Sequence, residues 1–272
     1  ESEDHLSHTW GYEAKATHQN ERTFSLPRGK VTGGSSAING QVWFRGIPED
    51  FDEWERLGNK GWSYLEVLPF FRRSETDHDF AGDDFHGSSG LIPVKRYEEA
   101  DLLPSPKAFL AACVAAGYPS TEDMNHPDSI GVGFYPLNRI DGIRMSTALT
   151  YLNAARNRLN LTLKSDVHVR KVLIENGRAL GVEVISGDEV FQAFSNQVIL
   201  SAGAINSPQL LMLSGIGPEK HLSTLGISTA VDLPGVGQNL RDHPAVFMLY
   251  RSKAPEYNHK SPELVPPLQI GM

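Results

Sequence analysis

The sequence predicts a mixed α/β fold. Three stretches support this prediction: a small-residue turn at 28–46, an alternating apolar pattern at 161–194, and the run "VILSAGAINSPQLLML" at 198–213. The last run combines a continuous apolar segment, a tight turn of small residues and a helical pattern. Strand, turn and helix in this order form the unit from which α/β domains are built.

Length and composition describe a globular chain and exclude several functional classes. The 272 residues are enough to bury a large core, and 40% of them are hydrophobic. The formal net charge of −8 leaves no basic field for nucleic acid, and no apolar run approaches the ~20 residues that span a bilayer. We therefore expect no nucleic-acid partner and no integral membrane segment. The single cysteine, Cys113, cannot form an internal disulfide, so the compartment stays undetermined, with a slight preference for the cytoplasm.

The first part of the chain is predicted to be a loop followed by two short helices. Residues 1–27 are polar and aperiodic, which predicts a loop, and their acidic start without a methionine or a leader pattern predicts that the sequence is a fragment. "PEDFDEWERLG" predicts a helix with Phe51, Trp54 and Leu57 on one face, and "SYLEVLPFFRRSE" predicts a second helix. We expect four aromatic side chains of this region in the core: Trp43, Phe44, Phe51 and Trp54.

The stretch "TDHDFAGDDFHGSSG" at 76–90 changes the character of the chain. It is rich in Asp and Gly and has no apolar period, which predicts a surface connection. Its acidic and histidine side chains, together with "DHLSH" at 4–8, invite comparison with a metal site, but their spacing fits no tight ligand motif. We therefore prefer a solvated loop over a metal site for these residues: Asp77, His78, Asp79, Asp83, Asp84 and His86.

A third helix is predicted by "SPKAFLAACVAAGYP" at 105–119. Ser105 is expected to cap it, Pro106 fits its first turn, and Gly117 with Pro119 marks its end.

From Leu161 onward the apolar period changes to two, which predicts a three-stranded meander with hairpin turns at Asn176-Gly177 and Gly187-Asp188. The alternating residues are Val167, Val169, Val172, Ile174, Val182 and Val184. After it, "QVILSAG" predicts a strand buried on both faces. A helix is then expected to begin with Asn206 or Ser207 as its cap and Pro208 near its first position.

Two small-residue turns can bring a ligand close to the backbone. After "VIL", Ser201 to Ala204 precede a helix N-terminus, whose free N–H groups and positive dipole end favour an anion. In "GKVTGGSSAING", two glycines permit positive φ or close approach, and Asn39 offers an amide that both donates and accepts. Taken singly, each stretch is explained equally well as a structural turn.

Taken together, the two stretches resemble the two signature patterns of the glucose-methanol-choline (GMC) family of FAD-dependent oxidoreductases. The first pattern is matched by Gly29, Lys30, Val31, Gly33, Gly34, Ser35, Ser36, Ile38, Asn39, Trp43 and Gly46. The second is matched by Gly203, Ala204, Ser207, Pro208, Leu210, Leu211, Ser214, Gly215, Ile216 and Gly217. Further stretches such as "DFHGSSGLIPV" and "LPGVGQNLRDHP" extend the resemblance over essentially all of residues 1–250, nearest to bacterial choline- and alcohol-dehydrogenase-like members.

The resemblance implies a set of FAD-binding residues. Val31 and the Gly33–Ser35 turn are expected against the flavin and its pyrophosphate, the Asn39–Val42 stretch near the isoalloxazine, and Val169 at the adenine. The full expected set is Val31, Gly33, Gly34, Ser35, Asn39, Gly40, Gln41, Val42, Val169, Ala202 and Gly203. Some relatives carry a covalently bound flavin on a histidine at the place of Ile38. Isoleucine cannot form that bond, so the resemblance implies non-covalent FAD.

Two family features have no counterpart in these residues. No G-x-G-x-x-G phosphate loop occurs in the sequence. The stretch "GVGQNL" has the first two glycines of this motif but lacks the third, and we interpret it as a turn. The catalytic histidine, with its histidine or asparagine partner, lies in the family beyond the position of Met272, so no catalytic residue and no metal ligand is predicted here. His243 is interpreted as a loop histidine. The absence of G-x-S-x-G argues against a serine hydrolase.

The resemblance also implies a finer fold class, a domain arrangement and a reaction. The fold class is an FAD-binding domain of the doubly wound type, incomplete and interleaved with part of a substrate-binding domain. We expect part of an FAD-binding domain at 1–74, a substrate-side segment at 75–145, the rest of the FAD-binding domain at 146–245 and the start of a substrate domain at 246–272. The full-length protein is expected to oxidise a small alcohol to an aldehyde or ketone by hydride transfer to flavin N5, with oxygen or a quinone as the electron acceptor. An FAD-containing lyase on the same fold, and a truncated module without catalysis, remain as alternatives.

Overall fold

The computed structural model describes residues 7–15, 17, 19, 21–243, 245–246, 248, 253 and 268–272. The chain divides into two compact units, Glu1–Leu161 with Tyr250–Met272 and Thr162–Leu249, called here the first and the second unit. Both helices and strands occur in each, so the predicted mixed α/β class is confirmed. The finer division at residues 74, 145 and 245 stays a prediction.

The first unit begins with a hairpin where the sequence predicted a loop. Strands β1 (Tyr12–Lys15) and β2 (Thr23–Leu26) pair antiparallel, with Tyr12 opposite Leu26. Three of the four β2 side chains are exposed, so the strand lacks the alternation by which a half-buried strand is recognised. Backbone pairing forms this element, and the prediction of an irregular segment is wrong here.

Two helices follow, as predicted, and they form the main apolar cluster. Helix α1 covers Pro48–Arg56 and helix α2 covers Tyr64–Ser74, with a capping box at Ser63. Phe51 packs against three residues of α2: Tyr64, Val67 and Leu68. Two other aromatic side chains expected in the core lie largely outside it, since Trp54 is 46% exposed and Phe44 is 49% exposed. Leu57, expected on the same helix face as Phe51, is 68% exposed at the end of α1. A short two-helix pair covers only one side of each helix.

Helix α3 (Pro104–Ala115) starts two residues earlier than predicted. Leu103 occupies the N-cap position, and Ser105 lies inside the first turn without a side-chain capping bond. Pro104 explains the shift, because its fixed φ suits the first helical position and it needs no N–H partner there. The predicted end is confirmed by Gly117, whose φ of +90° a side chain would disfavour.

Short strands complete the first unit. Strand β3 (Glu75–Asp77) pairs parallel with β4 (Ile92–Val94). Strand β5 (Gly133–Phe134) pairs antiparallel with β13 (Ile270–Gly271), and β6 (Arg139–Ile140) pairs with β7 (Ile143–Arg144). A π-helical turn at Ala148–Leu152 and the three-residue α4 (Asn153–Ala155) end this unit's first segment.

The second unit contains the predicted meander. Strands β8 (His168–Glu175), β9 (Arg178–Ser186) and β10 (Glu189–Phe194) form an antiparallel sheet in the order β10-β9-β8. Asn176 and Gly177 both have positive φ, of 51° and 75°, as a type I′ turn requires. At the second hairpin only Gly187 has positive φ, the pattern of a type II′ turn.

The strand predicted at 197–203 does not form within the described part of the chain. Residues 197–201 make no ladder with any described strand, and Ile199 is 77% exposed. Extended backbone becomes a strand only where a neighbour accepts its hydrogen bonds, so the apolar pattern alone cannot create one.

Helix α5 (Gly203–Leu213) follows this segment and begins earlier than predicted. Ala202 is its N-cap, so Asn206 and Ser207 lie within the helix and Pro208 is internal, costing one backbone hydrogen bond. Strand β11 (Ile216–Gly217), helix α6 (Glu219–Thr224) and strand β12 (Val231–Asp232) complete the unit, with "GVGQNL" as a turn and then an irregular segment. None of the helices within the described ranges combines the length and apolar character needed to cross a membrane.

Candidate functional site

The small-residue turn of the first unit is held by its own backbone and hydroxyl groups. Gly33 has a φ of +93° and precedes a 3₁₀ turn at Gly34–Ala37. The Ser36 hydroxyl donates to the Gly33 carbonyl oxygen over 2.5 Å and accepts from the Thr147 amide N–H at 3.0 Å. The amide N–H of Gly34 donates to the Val31 carbonyl at 2.8 Å. Short polar side chains thus fix the turn without covering its outer face.

Two adjacent glycines of this turn meet different surroundings. A Cβ on Gly33 would lie 3.2 Å from the Ala148 Cβ, so packing inside the chain already limits that position. A Cβ on Gly34 would meet no atom within 4 Å, although its φ is +55°. Nothing in the described chain therefore explains the lack of a side chain at Gly34 except backbone conformation. Space of this kind is what a closely approaching ligand needs.

The stretch that follows presents amide groups. Asn39 is exposed, and its backbone N–H donates to the Ser35 carbonyl at 2.9 Å. Its side-chain oxygen accepts from the Gln41 N–H at 3.0 Å and from Arg144 Nη1 at 2.9 Å. Arg144 also donates to the Asn39 backbone carbonyl. Both oxygens of Asn39 are therefore used, which leaves the side-chain Nδ2 donors for a ligand.

Gln41 adopts a φ of +66°, rare for a residue with a side chain. Its Oε1 is buried without a hydrogen-bond partner among the described residues. Gly40 is exposed beside it, and Val42 forms a backbone bridge to Leu137. Strained backbone and an unsatisfied acceptor at the same residue are typical of a ligand-binding segment.

The candidate residues of the second unit surround the start of α5. Ala202 and Gly203 are exposed, Gly203 has a φ of +87°, and a Cβ there would meet nothing within 4 Å. The first N–H groups of this 11-residue helix are thus accessible from the solvent side. Val169 lies half-buried in β8 opposite Val184, so its backbone is part of the sheet. The predicted residues fall into two groups, one in each unit.

These features fit the chemistry of FAD. Open backbone at Gly34 and Gly203 suits a flat or anionic group, a helix N-terminus suits phosphate, and the Asn39 amide suits a polar ring edge. A mixed α/β fold with turns of this kind is typical of dinucleotide-binding proteins.

Comparison with known proteins identifies the family. The family profile described as GMC oxidoreductase matches residues 11–245, so the chain belongs to the GMC oxidoreductase family. Membership of this family supports FAD as the cofactor.

Curated relatives and a solved structure agree with this assignment. An oxygen-dependent choline dehydrogenase of Photobacterium profundum is 43% identical over 91% of this chain and 44% of its own length. The human mitochondrial choline dehydrogenase is 41% identical over 92% of this chain and 42% of its own. The crystal structure of pyridoxine 4-oxidase from Mesorbium loti superposes with a TM-score of 0.78 at 34% identity, covering 84% of this chain and 45% of that one. The chain therefore spans less than half the length of the curated relatives it matches.

A buried ion-pair network lies where the sequence predicted a solvated loop. Glu75, Asp77 and His86 are all at most 1% exposed. Arg96 donates to both Asp77 oxygens at 3.0 Å and to Asp123 Oδ1 at 2.6 Å. The solvated-loop prediction is wrong for Asp77 and His86. The other residues of the predicted set reach solvent: His78, Asp79 and Asp84 are exposed and Asp83 is half-buried.

The same network connects β3 to the residues after the small-residue turn. Arg45 Nη2 donates to Glu75 Oε1 at 2.5 Å, and Trp43 Nε1 donates to Glu75 Oε2 at 2.7 Å. The His86 Nδ1 lies 3.0 Å from Asp83 Oδ2. His86 and Asp83 are only three residues apart, but the arginine and tryptophan partners lie 17 to 32 residues from their carboxylates in the sequence, so no local spacing signals those pairings. Glu75, Asp77 and His86 lie close enough to share a metal ion, but arginine already compensates both carboxylates, so the ion pairs explain the cluster.

The pKa shifts in the network agree with this description. Burial alone would lower the pKa of Arg96, yet the carboxylates of Asp77 and Asp123 outweigh burial and raise it. Burial alone would raise the pKa of Asp83, yet hydrogen bonds from His86 and from the Phe85 amide outweigh burial and lower it. Both shifts favour the charged forms. His243, in contrast, is exposed in an irregular segment, as predicted for a loop histidine.

Proposed function

We propose that the protein carrying this chain is an FAD-dependent oxidoreductase that oxidises an alcohol to an aldehyde or ketone, and that this chain supplies a large part of its FAD-binding surface. The observation that supports this most directly is the family match over residues 11–245, combined with the uncovered backbone at both signature turns. The naming of several relatives as choline dehydrogenases makes choline the first alcohol to test.

Each unit would contribute a distinct kind of contact to FAD. In the first unit, Gly33, Gly34 and Ser35 would permit close approach of the cofactor, with Val31 alongside, and the Asn39–Val42 stretch would bind the edge of the isoalloxazine. In the second unit, Val169 would contact the adenine through its backbone, while Ala202 and Gly203 would face the dinucleotide. When bound, FAD supplies the acceptor for a hydride from the alcohol carbon.

The cofactor is proposed to be held without a covalent bond. Ile38 carries no nucleophilic atom, and its side chain is half-buried within the turn. Binding would therefore rest on hydrogen bonds, on the helix N-terminus and on excluded water. The general base that takes the alcohol proton is proposed to lie outside the described residues. Oxygen or a quinone is proposed as the final electron acceptor, and the cytoplasm as the compartment.

We expect an alcohol to reduce the bound flavin. The holoprotein, expressed from its complete reading frame, is mixed anaerobically with choline and with a panel of primary alcohols while the flavin absorbance near its visible maximum is followed. Bleaching by at least one alcohol, reversed by oxygen or a quinone, is the predicted result. Turnover of a substrate with the flavin oxidised throughout would point instead to a lyase and contradict the proposal.

A further inference from the structure

A half-buried positive charge lies beside the loop proposed to bind the isoalloxazine. Arg144 ends β7 and has no carboxylate partner within ion-pair distance among the residues the structure describes. Burial lowers the pKa of its guanidinium, and no anionic neighbour in the described chain offsets that effect. A half-buried guanidinium without a counter-ion among the described residues is stabilised when an anion lies beside it.

The hydrogen bonds of Arg144 show where that anion would be recognised. Its Nη1 donates to the side-chain oxygen of Asn39 at 2.9 Å and also to the Asn39 backbone carbonyl. Because the Gln41 N–H donates to the same side-chain oxygen at 3.0 Å, the orientation of the amide is fixed by two donors. The Nδ2 atom, with its two N–H donors, is the part of Asn39 left to meet a ligand. A positive charge thus polarises an amide that presents donors.

We propose that Arg144 is a positioning residue for the cofactor, which holds the Asn39 amide with its N–H donors available and offsets the negative charge the flavin gains on reduction. The inference rests on the proposed function. A hydride carries two electrons and one proton, so its transfer from the alcohol carbon leaves the isoalloxazine with one additional negative charge. The alcohol proton goes to a base elsewhere in the protein.

An alternative anion is the FAD pyrophosphate, and the two differ in their dependence on redox state. A pyrophosphate carries the same charge in oxidised and reduced FAD, so a partner of that group binds both states with equal gain. A counter-charge for the reduced ring strengthens binding of the reduced state alone. The ratio of the two affinities therefore distinguishes the alternatives, and this ratio is measured as the midpoint potential of the bound flavin.

The test compares Arg144→Gln, Arg144→Lys and the control Arg156→Gln in the holoprotein. Arg156 is exposed in the same unit, and its replacement removes the same formal charge from the surface. The measurements are the dissociation constant of oxidised FAD by fluorescence titration and the midpoint potential against a reference dye. For Arg144→Gln we expect the affinity ratio to fall about tenfold, equivalent to a potential lower by about 30 mV for a two-electron couple. Arg144→Lys should keep most of the wild-type potential, and Arg156→Gln should keep all of it.

Each other result overturns the inference. An equal loss of affinity for both redox states in Arg144→Gln would assign Arg144 to the pyrophosphate or to loop structure. An unchanged potential would show that the charge is not used. If the Arg144→Gln protein binds no flavin, the midpoint potential is measured in the Arg144→Lys protein instead. A bound flavin in Arg144→Lys with the potential of free flavin would contradict a role for the charge. Failure of the wild-type protein to bind FAD would instead contradict the proposed function.

Discussion

Replacement of Arg96 by methionine should lower the free energy of unfolding by about 3–5 kcal/mol. Arg96 is 7% exposed and donates to three carboxylates, those of Asp77, Asp79 and Asp123. Methionine fills similar space but leaves these acidic groups without their cation. Burying an uncompensated charge is among the few causes of destabilisation of this size.

The matched control is Arg56→Met. Arg56 also pairs with an acidic residue, Glu53, but its side chain is 72% exposed, so its loss should change the unfolding free energy by no more than about 1 kcal/mol. Urea unfolding of both variants, followed by tryptophan fluorescence, measures the difference. Equal stabilities for the two variants would show that the network contributes nothing.

Replacement of Gly34 by alanine should weaken FAD binding by about 1–3 kcal/mol, or roughly fivefold to more than a hundredfold. The added Cβ would meet no atom of the chain within 4 Å, so any loss of affinity beyond the cost of backbone strain comes from the space the cofactor is proposed to fill. Strain itself is expected, since Gly34 has a φ of +55° and alanine pays about 1–2 kcal/mol in the left-handed region.

Gly58→Ala separates the two effects. Gly58 also has a positive φ, of 104°, and a Cβ added there would likewise meet no atom within 4 Å, but this glycine lies after α1, outside the signature turn. Both variants should lose stability through backbone strain, and only Gly34→Ala should lose FAD affinity. The same comparison is available in the second unit with Gly203→Ala and Gly226→Ala, whose φ values are 87° and 70°. A Gly34→Ala protein that binds FAD like Gly58→Ala would refute the proposed contact.

The local parts of the fold could be predicted because their signals are contained in a few adjacent residues. Asn176-Gly177 supports the first hairpin of the meander through positive φ, and the capping box at Ser63 supports the start of α2. Features that depend on distant partners could not be predicted correctly from the local sequence. The segment 197–201 has the composition of a buried strand, yet no described strand pairs with it.

The candidate site divides in the same way. Asn39 and Gly34 could be found from a signature pattern, because close approach of a ligand requires particular residue types at fixed spacing. Arg144 could not, since it lies 105 residues from Asn39 in the sequence and belongs to a two-residue strand. The buried pairing of Arg45 with Glu75 spans 30 residues and was likewise hidden, because acidic residues in a Gly-rich stretch usually face water.

The measurement that tests the central claim most directly is the flavin content of the purified protein before and after acid precipitation. The protein is expressed from its complete reading frame, its flavin is quantified by absorbance, and the precipitate and supernatant are analysed separately. We predict one FAD per chain, released entirely into the supernatant because Ile38 provides no covalent attachment. A protein that contains no FAD and binds none when titrated would contradict the account, and flavin retained in the precipitate would contradict its non-covalent attachment.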